Sequence, residues 1–524
     1  MLISPTKLAN NSNVAVVGAG VAGLSFSYFL AKFRPDVNIT IIDAANGTGG
    51  WINSAKVQVG GRNSILVEKG PRTLRGKSEG TTLMIDTLDS LKQKEIVNYI
   101  EGNSVANRKF LLGKDDSLVQ VPTSFKSFVK FLRNSLSEGL ITGFLAEPFR
   151  KPRLYPCEDE SAHSFVERRF GSASVSNNIF SAIFHGIYAG DIKQLSAQRT
   201  LAPLLALEAK HGSLIKGMMS SSTGEQSSSL PPALLQYQKR TGRDFKQLSE
   251  LYGQLRKLPM LGLRNGLESF PRALFTALQQ NSKVKFLLGS PVSQIEAGVN
   301  NTGCRVSLAD GRQLTGLQHV RLTNTPAVIA TMTQDKQLAQ LLRQVKANTV
   351  VLVNFYLADA DLLEQYHSFG YLVPQSNSNR EQLLGVIFDS VIEQNFKPLV
   401  PQQSFDEQRK PQKYTKFTAM MGGHYLSDHS QQKDAQYVDR VKSALVRHLK
   451  IPQNQLDSGH WEVTMAKECL PHFFVNYNRW MSQTKTKIGQ TFGSHLSLGG
   501  MAFSTGPGVP DVVMDGFQDA DALS

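Results

Sequence analysis

Cysteine is scarce here: Cys157, Cys304 and Cys469 are the only three in 524 residues. Three cannot build a disulfide framework, and none stands in a Cys-x-x-Cys pair, which disfavours structural zinc and iron–sulfur ligation. The eleven histidines show no His-x-x-x-His spacing, so no metal site is predicted. No apolar run approaches the roughly 18 residues that span a bilayer. Residues 1–13 lack both the pattern of a secretory signal and the arginines of an ordinary mitochondrial presequence. Acidic side chains are also in deficit: 43 Asp and Glu face 57 Lys and Arg, a formal charge of +14 and a pI of about 9.5. Such an excess suits nucleic acid, an anionic membrane surface or an acidic substrate. With 41% hydrophobic and 19% charged residues the chain is ordinarily globular. Its length allows several cores and roughly two to four domains.

Chemistry-bearing pattern begins at once. Val14-Ala15-Val16-Val17 reads as a buried parallel strand, and Gly18-Ala19-Gly20-Val21-Ala22-Gly23 follows it. Leu24, Phe26, Phe29, Leu30 and Phe33 then fall near helical spacing, and Asn38-Ile39-Thr40-Ile41-Ile42 reads as a second strand ending at Asp43. This is the order of a dinucleotide-binding βαβ unit. The first glycine permits the tight turn, the second lets pyrophosphate approach the backbone, and the third lets helix and strand pack closely. The phosphates would lie on the helix N-terminus, where free N–H groups and the dipole favour anions. Asp43, twenty residues past Gly23, is placed to bind the ribose hydroxyls of an adenosine and to disfavour a phosphorylated ribose. These residues leave NAD and FAD both open.

Thr48-Gly49-Gly50-Trp51 resembles the second signature of FAD-dependent amine oxidases, although Gly47 stands where that family carries an arginine. Gly70-Pro71-Arg72-Thr73-Leu74-Arg75-Gly76, Glu158-Asp159-Glu160-Ser161 and Arg168-Arg169-Phe170-Gly171 narrow the resemblance. So do Gly262 to Glu268, Phe369 to Pro374, Gly385 to Ser390, Ala419 to Gly423 and Pro507 to Asp511. Taken in order, these blocks resemble the protoporphyrinogen oxidases of the fungal mitochondrial type. The resemblance runs from about residue 14 to about residue 520.

It implies an α/β chain with three parts: a Rossmann-like FAD-binding domain assembled from discontinuous segments, a mixed-sheet substrate domain and a helical membrane-binding domain. The FAD-binding parts are expected at 11–100, 259–311 and 466–524, the helical part at 101–215, and the substrate parts at 216–258 and 312–465. Ser220 to Pro232 reads as an exposed loop, and Phe396 to Lys413 as a proline- and glutamine-rich connector. Near the end, Gly499-Gly500 and Gly506-Pro507-Gly508-Val509 lead into a helix, with Pro510 in its first turn. Residues 501–524 hold four aspartates and no Lys or Arg, and that helix N-terminus would stabilise charge on a reduced flavin. Leu267, Phe270 and Leu274 read as one helix face, and Val284 to Leu288 as a strand.

For non-covalent FAD the resemblance implies Gly18, Ala19, Gly20, Val21, Ala22, Gly23, Asp43, Ala44, Gly49, Gly50, Trp51, Gly70, Pro71, Arg72, Thr73, Val292, Gly506, Pro507, Gly508 and Val509. Residues 470–524 contain no cysteine for a covalent tether of the amine-oxidase kind. For the substrate, protoporphyrinogen IX, it implies Arg108 as the propionate anchor, Phe369, Leu372 and Met420 as the apolar wall, and the Gly186 carbonyl as the acceptor of pyrrole N–H groups. Arg72 and Arg75 suit the FAD or the pocket framework. Asp389 and Glu468 suit solvated or structural roles, and no general base is assigned.

From Val121 to Tyr155 six basic side chains face Glu138 and Glu147, interleaved with Phe125, Phe128 and Phe131. Cations beside aromatics suit a helix lying in an anionic membrane interface. The resemblance adds a monotopic place on the mitochondrial inner membrane, molecular oxygen as acceptor with release of hydrogen peroxide, a homodimer and contact with a ferrochelatase. No nucleic-acid-reading module is present. Prenyl-protein-binding escorts, which keep the fold without flavin chemistry, would be expected to lose the phosphate loop.

Overall fold

The computed structural model describes residues 6–59, 63–153, 158–223, 230–298, 302–401, 413–426 and 433–524. Val14, Ala15 and Val16 are wholly buried. They form the central strand, Asn13–Val17, of a five-stranded parallel sheet covered on both faces, so the segment is uniformly apolar rather than alternating. In space the order is Leu496–Leu498, His319–Leu322, Asn13–Val17, Asn38–Ile42 and Val284–Leu287. The first helix, Val21–Phe33, packs along the last, Val509–Leu523, where Gly516 lets the backbones approach and Phe29 meets Phe517 edge-on at 5.4 Å. Leu8 N–H donates to the Leu523 carbonyl at 2.9 Å, so the two ends of the described chain close one body.

A second body is built on a seven-stranded sheet. Its order is His460–Pro471, Ala347–Ala358, Tyr414–Gly422, Leu383–Ile387, Gly370–Leu372, Phe110–Leu112 and Leu118–Gln120. All neighbours run antiparallel except Gly370–Leu372 beside Phe110–Leu112.

The α/β class expected from sequence is present, and several segment boundaries move. His319–Leu322 lies in the parallel sheet, beyond the expected break at 311. His460–Pro471 stays in the antiparallel sheet past 465. Helices Pro232–Thr241 and Phe245–Leu255 pack in the same core as Phe29 and Phe517, although 216–258 was expected with the substrate part. Residues 101–215 are not wholly helical, since they supply the two short edge strands. In each case a distant backbone partner decides the assignment, which local patterning does not reveal. The expected loop from Ser220 overlaps the end of helix Leu214–Thr223, Pro232 already opens a helix, and 224–229 lie outside the described residues. Within the expected connector, Lys397–Pro398 pairs with Asn98 and Tyr99, while 402–412 lie outside the described residues.

The basic segment is broken into Phe125–Leu132, Leu140–Ala146 and short 3-10 turns at Ser135–Ser137 and Glu147–Phe149. Phe131 and Leu136 are buried beneath it, whereas Phe125 is 82% and Phe149 89% exposed. An internal ion pair ties this layer down. The fully buried Glu147 accepts from Arg169, from Ser213 Oγ at 2.5 Å and from Leu214 N–H at 2.7 Å, so its charge is paired and hydrogen-bonded. No helix among the described residues is long and apolar enough to cross a membrane.

Candidate cofactor and substrate site

The phosphate loop has the geometry its glycines were read to need. Gly18 adopts φ +110°, open only to glycine. A Cβ on Gly23 would stand 1.9 Å from the Gly18 carbonyl oxygen, so strand and helix meet there without side-chain room. Gly20 caps the first helix without a side chain, and the N–H groups of Ala22 and Gly23 have no acceptor among the described residues. Unpaired N–H groups at a helix N-terminus form an anion seat. Asp43 closes the seat from the second strand: its carboxylate accepts from Ala19 N–H at 2.6 Å and Ala45 N–H at 2.8 Å. Gly49 N–H donates to the Ala19 carbonyl at 2.9 Å, bringing the Gly49-Gly50 turn over the loop. A Cβ on Gly47 would meet nothing within 4 Å, so the missing arginine leaves open space rather than a refilled site.

The C-terminal turn arrives on the same side. Gly508 precedes the last helix and donates to Asp511, whose carboxyl burial pushes above the ordinary range. Arg199 donates to the Ser504 carbonyl and lies over the rings of Phe473 and Tyr477, at 5.0 Å and 5.6 Å. This buried guanidinium, which holds the Ser504 to Gly508 turn in place, carried no recognisable sequence signal. The paired glycine turns and the unpartnered helix N–H groups fit a dinucleotide.

The other group of candidate residues stands on the antiparallel sheet, to which Arg72 ties the glycine-proline turn. Leu372 pairs with Gly385 and Leu111, Gly385 with Met420, and Met420 with Leu352. Directly paired residues share a face, so Leu111, Leu372, Met420 and Leu352 form an apolar row. Helix Ser181–Tyr188 crosses that row through Gly186, where a Cβ would stand 3.0 Å and 3.2 Å from the Leu372 methyls. Gly186 and Ile183 are exposed although Ala182, Phe184 and His185 beside them are buried, so this helix face is open to solvent. The Gly186 carbonyl, in the last turn of the helix, accepts no hydrogen bond among the described residues. Gly186, Leu372 and Met420 are thus brought together. Phe369 is half-buried at the edge of the neighbouring core, where Gly370 at φ +138° interrupts the strand alternation.

Phe110 pairs with Tyr371 and packs on the opposite core, and Arg108 stands ahead of that strand, at the end of the 3-10 turn Val105–Asn107. Arg108 is exposed, and its carbonyl accepts Phe369 N–H at 2.8 Å. Lys109 shares the side of Leu111 and Leu372. Its ammonium keeps an exposed surface yet is held below the ordinary lysine range, first by desolvation and then by Arg75. Neither Arg75 nor Lys109 enters an ion pair among the described residues, and two unneutralised cations at one end of an apolar row suit an anion.

Arg72 takes the framework role, one of the two expected of it. It pairs with Asp389, 6% exposed, and donates to Thr418 Oγ1 at 2.8 Å, fastening the cradle's glycine-proline turn to the sheet. Asp389 is therefore a buried structural carboxylate and not a solvated one. Glu468 is exposed at a strand irregularity, with φ +50°. Trp51 is 44% exposed, and Val292 opens the Val292–Ala297 strand half-buried.

Comparison with known proteins agrees with this arrangement. The family model for flavin containing amine oxidoreductases matches residues 21–523. The protoporphyrinogen oxidase of Saccharomyces cerevisiae is 45% identical over 539 aligned residues, covering 100% of both chains. That of Homo sapiens is 27% identical, covering 97% of each. A solved structure from Exiguobacterium sp. 255-15 superposes with a TM-score of 0.71 at 18% identity, over 98% of this chain and 99% of that one. A putrescine oxidase reaches 0.62 at 13% identity over 98% of each, which shows the shared fold. The chain belongs to the flavin containing amine oxidoreductases and, within them, to the protoporphyrinogen oxidases.

Proposed function

We propose that this chain oxidises protoporphyrinogen IX to protoporphyrin IX in haem biosynthesis, with FAD as cofactor and molecular oxygen as acceptor, releasing hydrogen peroxide. The observation that carries the reading is an intact dinucleotide cradle tied through Arg72 and Asp389 to the sheet that bears an apolar row with two unpaired cations at one end. The full-length identity to a relative of that name supports it. The reaction removes six electrons and six hydrogens in three two-electron rounds. FAD, when bound, supplies the hydride acceptor.

The chain's own residues hold the macrocycle: Leu372, Met420 and Phe369 lie along it, and the Gly186 carbonyl accepts pyrrole N–H groups. Lys109, with Arg75 beside it, takes the propionates in place of Arg108. The cradle residues from Gly18 to Gly23, Asp43, Ala44, Gly49 to Trp51, Gly70, Pro71, Thr73, Val292 and Gly506 to Val509 hold the cofactor, and Arg72 fastens their turn to the sheet. The exposed Phe125 to Phe149 layer rests on an anionic membrane, the mitochondrial inner membrane, for which a tobacco relative's mitochondrial label is the comparative support.

The test is oxygen uptake and porphyrin fluorescence by the flavin-loaded protein with protoporphyrinogen IX, beside coproporphyrinogen III and putrescine. Faster turnover of either comparison substrate overturns the reading. For the anchor, Lys109→Met should raise KM about ten-fold or more with flavin content retained, since a charge-assisted hydrogen bond contributes roughly 1.5–3 kcal/mol. Arg108→Met should leave KM near the wild-type value; the reverse ranking restores Arg108 as the anchor.

A further inference from the structure

At the carboxyl edge of the parallel sheet, Asp43 N–H donates to the Leu287 carbonyl at 3.0 Å and Gly18 N–H to Ile42 at 2.7 Å. Thr323 N–H donates to Val17 at 2.9 Å and Gly499 N–H to Leu322 at 2.7 Å. Each donor is the first residue past its strand, so Asp43, Gly18, Thr323 and Gly499 stand in that order along one edge. Neighbouring strands lie about 4.8 Å apart, so Thr323 is roughly 10 Å from Asp43, with the glycine loop between them. Thr323 fills room that two glycines leave. A Cβ on Gly18 would stand 2.3 Å from its Oγ1, and a Cβ on Gly500 2.9 Å from its carbonyl oxygen.

Asn324 comes next, where the chain bends away from the strand toward helix Pro326–Met332. Its Oδ1 is buried and has no hydrogen-bond partner among the described residues. Buried polar atoms are nearly always paired, because an unpaired one keeps the full cost of its desolvation. Of the described buried side-chain atoms without a partner, this one alone lies just past the carboxyl end of a strand in the parallel sheet. In an open parallel sheet the crevice beyond those ends is where ligands bind. The order along the edge also gives the ligand a direction. Asp43 suits the ribose of the adenosine, the helix N-terminus after Gly18 suits the pyrophosphate, and the turn Gly506 to Val509 lies toward the flavin. The covalent order of FAD then brings the ribityl chain past Thr323 and Asn324. A side-chain carbonyl only accepts, and a phosphate has no hydrogen to give at neutral pH, whereas the ribityl chain carries hydroxyl donors.

We propose that Asn324 is a further cofactor-binding residue, whose side-chain carbonyl accepts a hydrogen bond from a ribityl hydroxyl and fixes the stretch between the pyrophosphate seat and the flavin ring. The proposal rests on the flavin reading of the cradle. The ribityl chain turns about several single bonds, so a fixed acceptor beside it restricts those rotations and holds the ring in register with the rest of the site. The contact is made away from the reacting atoms. Asn324 therefore acts on cofactor affinity and placement rather than on the chemical step.

The test uses the full chain, stripped of flavin and reconstituted with FAD or with analogues lacking one hydroxyl: the ribityl 2′, 3′ or 4′, or the adenosine 2′. Asn324→Ala should raise the FAD Kd about five- to ten-fold. One ribityl analogue should bind the wild type more weakly by a similar factor, yet bind Asn324→Ala as tightly as FAD does, since groups in contact couple. The adenosine analogue should weaken both proteins alike. Because the substitution removes a buried unpaired atom, flavin-free Asn324→Ala should melt at or above the wild-type temperature, while the rise in Tm on adding FAD should shrink. An unchanged FAD Kd overturns the proposal, as do equal penalties for every ribityl analogue in both proteins. A lowered flavin-free Tm with the same FAD-induced rise gives Asn324 a structural role and overturns it too. A wild type that takes up no FAD overturns the flavin reading itself, and the proposal with it.

Discussion

Replacing Phe125, Leu145 and Phe149 together by serine should detach the protein from membranes without unfolding it. These side chains are 82%, 67% and 89% exposed, so the fold loses little packing. Full withdrawal of a Phe or Leu side chain from water is worth about 1.5–3 kcal/mol. Scaled by their exposures, the three are worth roughly 5 kcal/mol when fully immersed, and roughly half that when the layer rests at the headgroup boundary. The triple variant should then partition at least about fifty-fold more weakly, since each 1.4 kcal/mol is a factor of ten. Lys126→Gln with Lys130→Gln should act differently. Near an anionic surface each cation contributes about 1 kcal/mol, so this pair should weaken binding to anionic vesicles by roughly thirty-fold and leave neutral vesicles unaffected. Its effect should fade in high salt. The assay is flotation with vesicles of phosphatidylcholine alone and with an anionic phospholipid, beside a thermal melt to confirm the fold. Unchanged flotation of the triple serine variant, or a wild type that stays soluble with anionic vesicles, refutes the assignment of this face.

Gly23→Ala should yield protein with little flavin, read from its absorption band, because the new methyl would stand 1.9 Å from the Gly18 oxygen and must push the phosphate loop apart. Glu147→Gln leaves the buried Arg169 guanidinium with Glu208 at 3.3 Å as its remaining carboxylate and should cost about 1.5–3 kcal/mol, measured by denaturant unfolding. Asp515, raised to about 6 chiefly by burial, binds its proton more tightly folded than unfolded. Stability should therefore fall as pH rises from about 4 to about 6, and Asp515→Asn should flatten that slope in thermal melts.

Much of the nucleotide cradle was legible because its causes are local. A positive φ at Gly18, a side-chain-free approach at Gly23 and an uninterrupted apolar strand are each set by a few consecutive residues, so their spacing carries the geometry. The exposed aromatic and basic face from Phe125 to Phe149 was legible for the same reason, since cations and aromatics interleave within one short stretch. What the pocket does with its charges was not. Arg108 and Lys109 are adjacent, and only the pairing of Phe110 with Tyr371 says which of them shares a face with Leu372. Arg72 read as an FAD or a framework residue until the fold set Asp389, 317 residues away, against it. The sequence by itself determined the phosphate loop and the fold class, because backbone conformation and hydrophobic pattern are short-range. Only the tertiary structure decided which side chains share the face of Leu372 and what holds Arg72, because strand register and long-range ion pairing are set by partners hundreds of residues away.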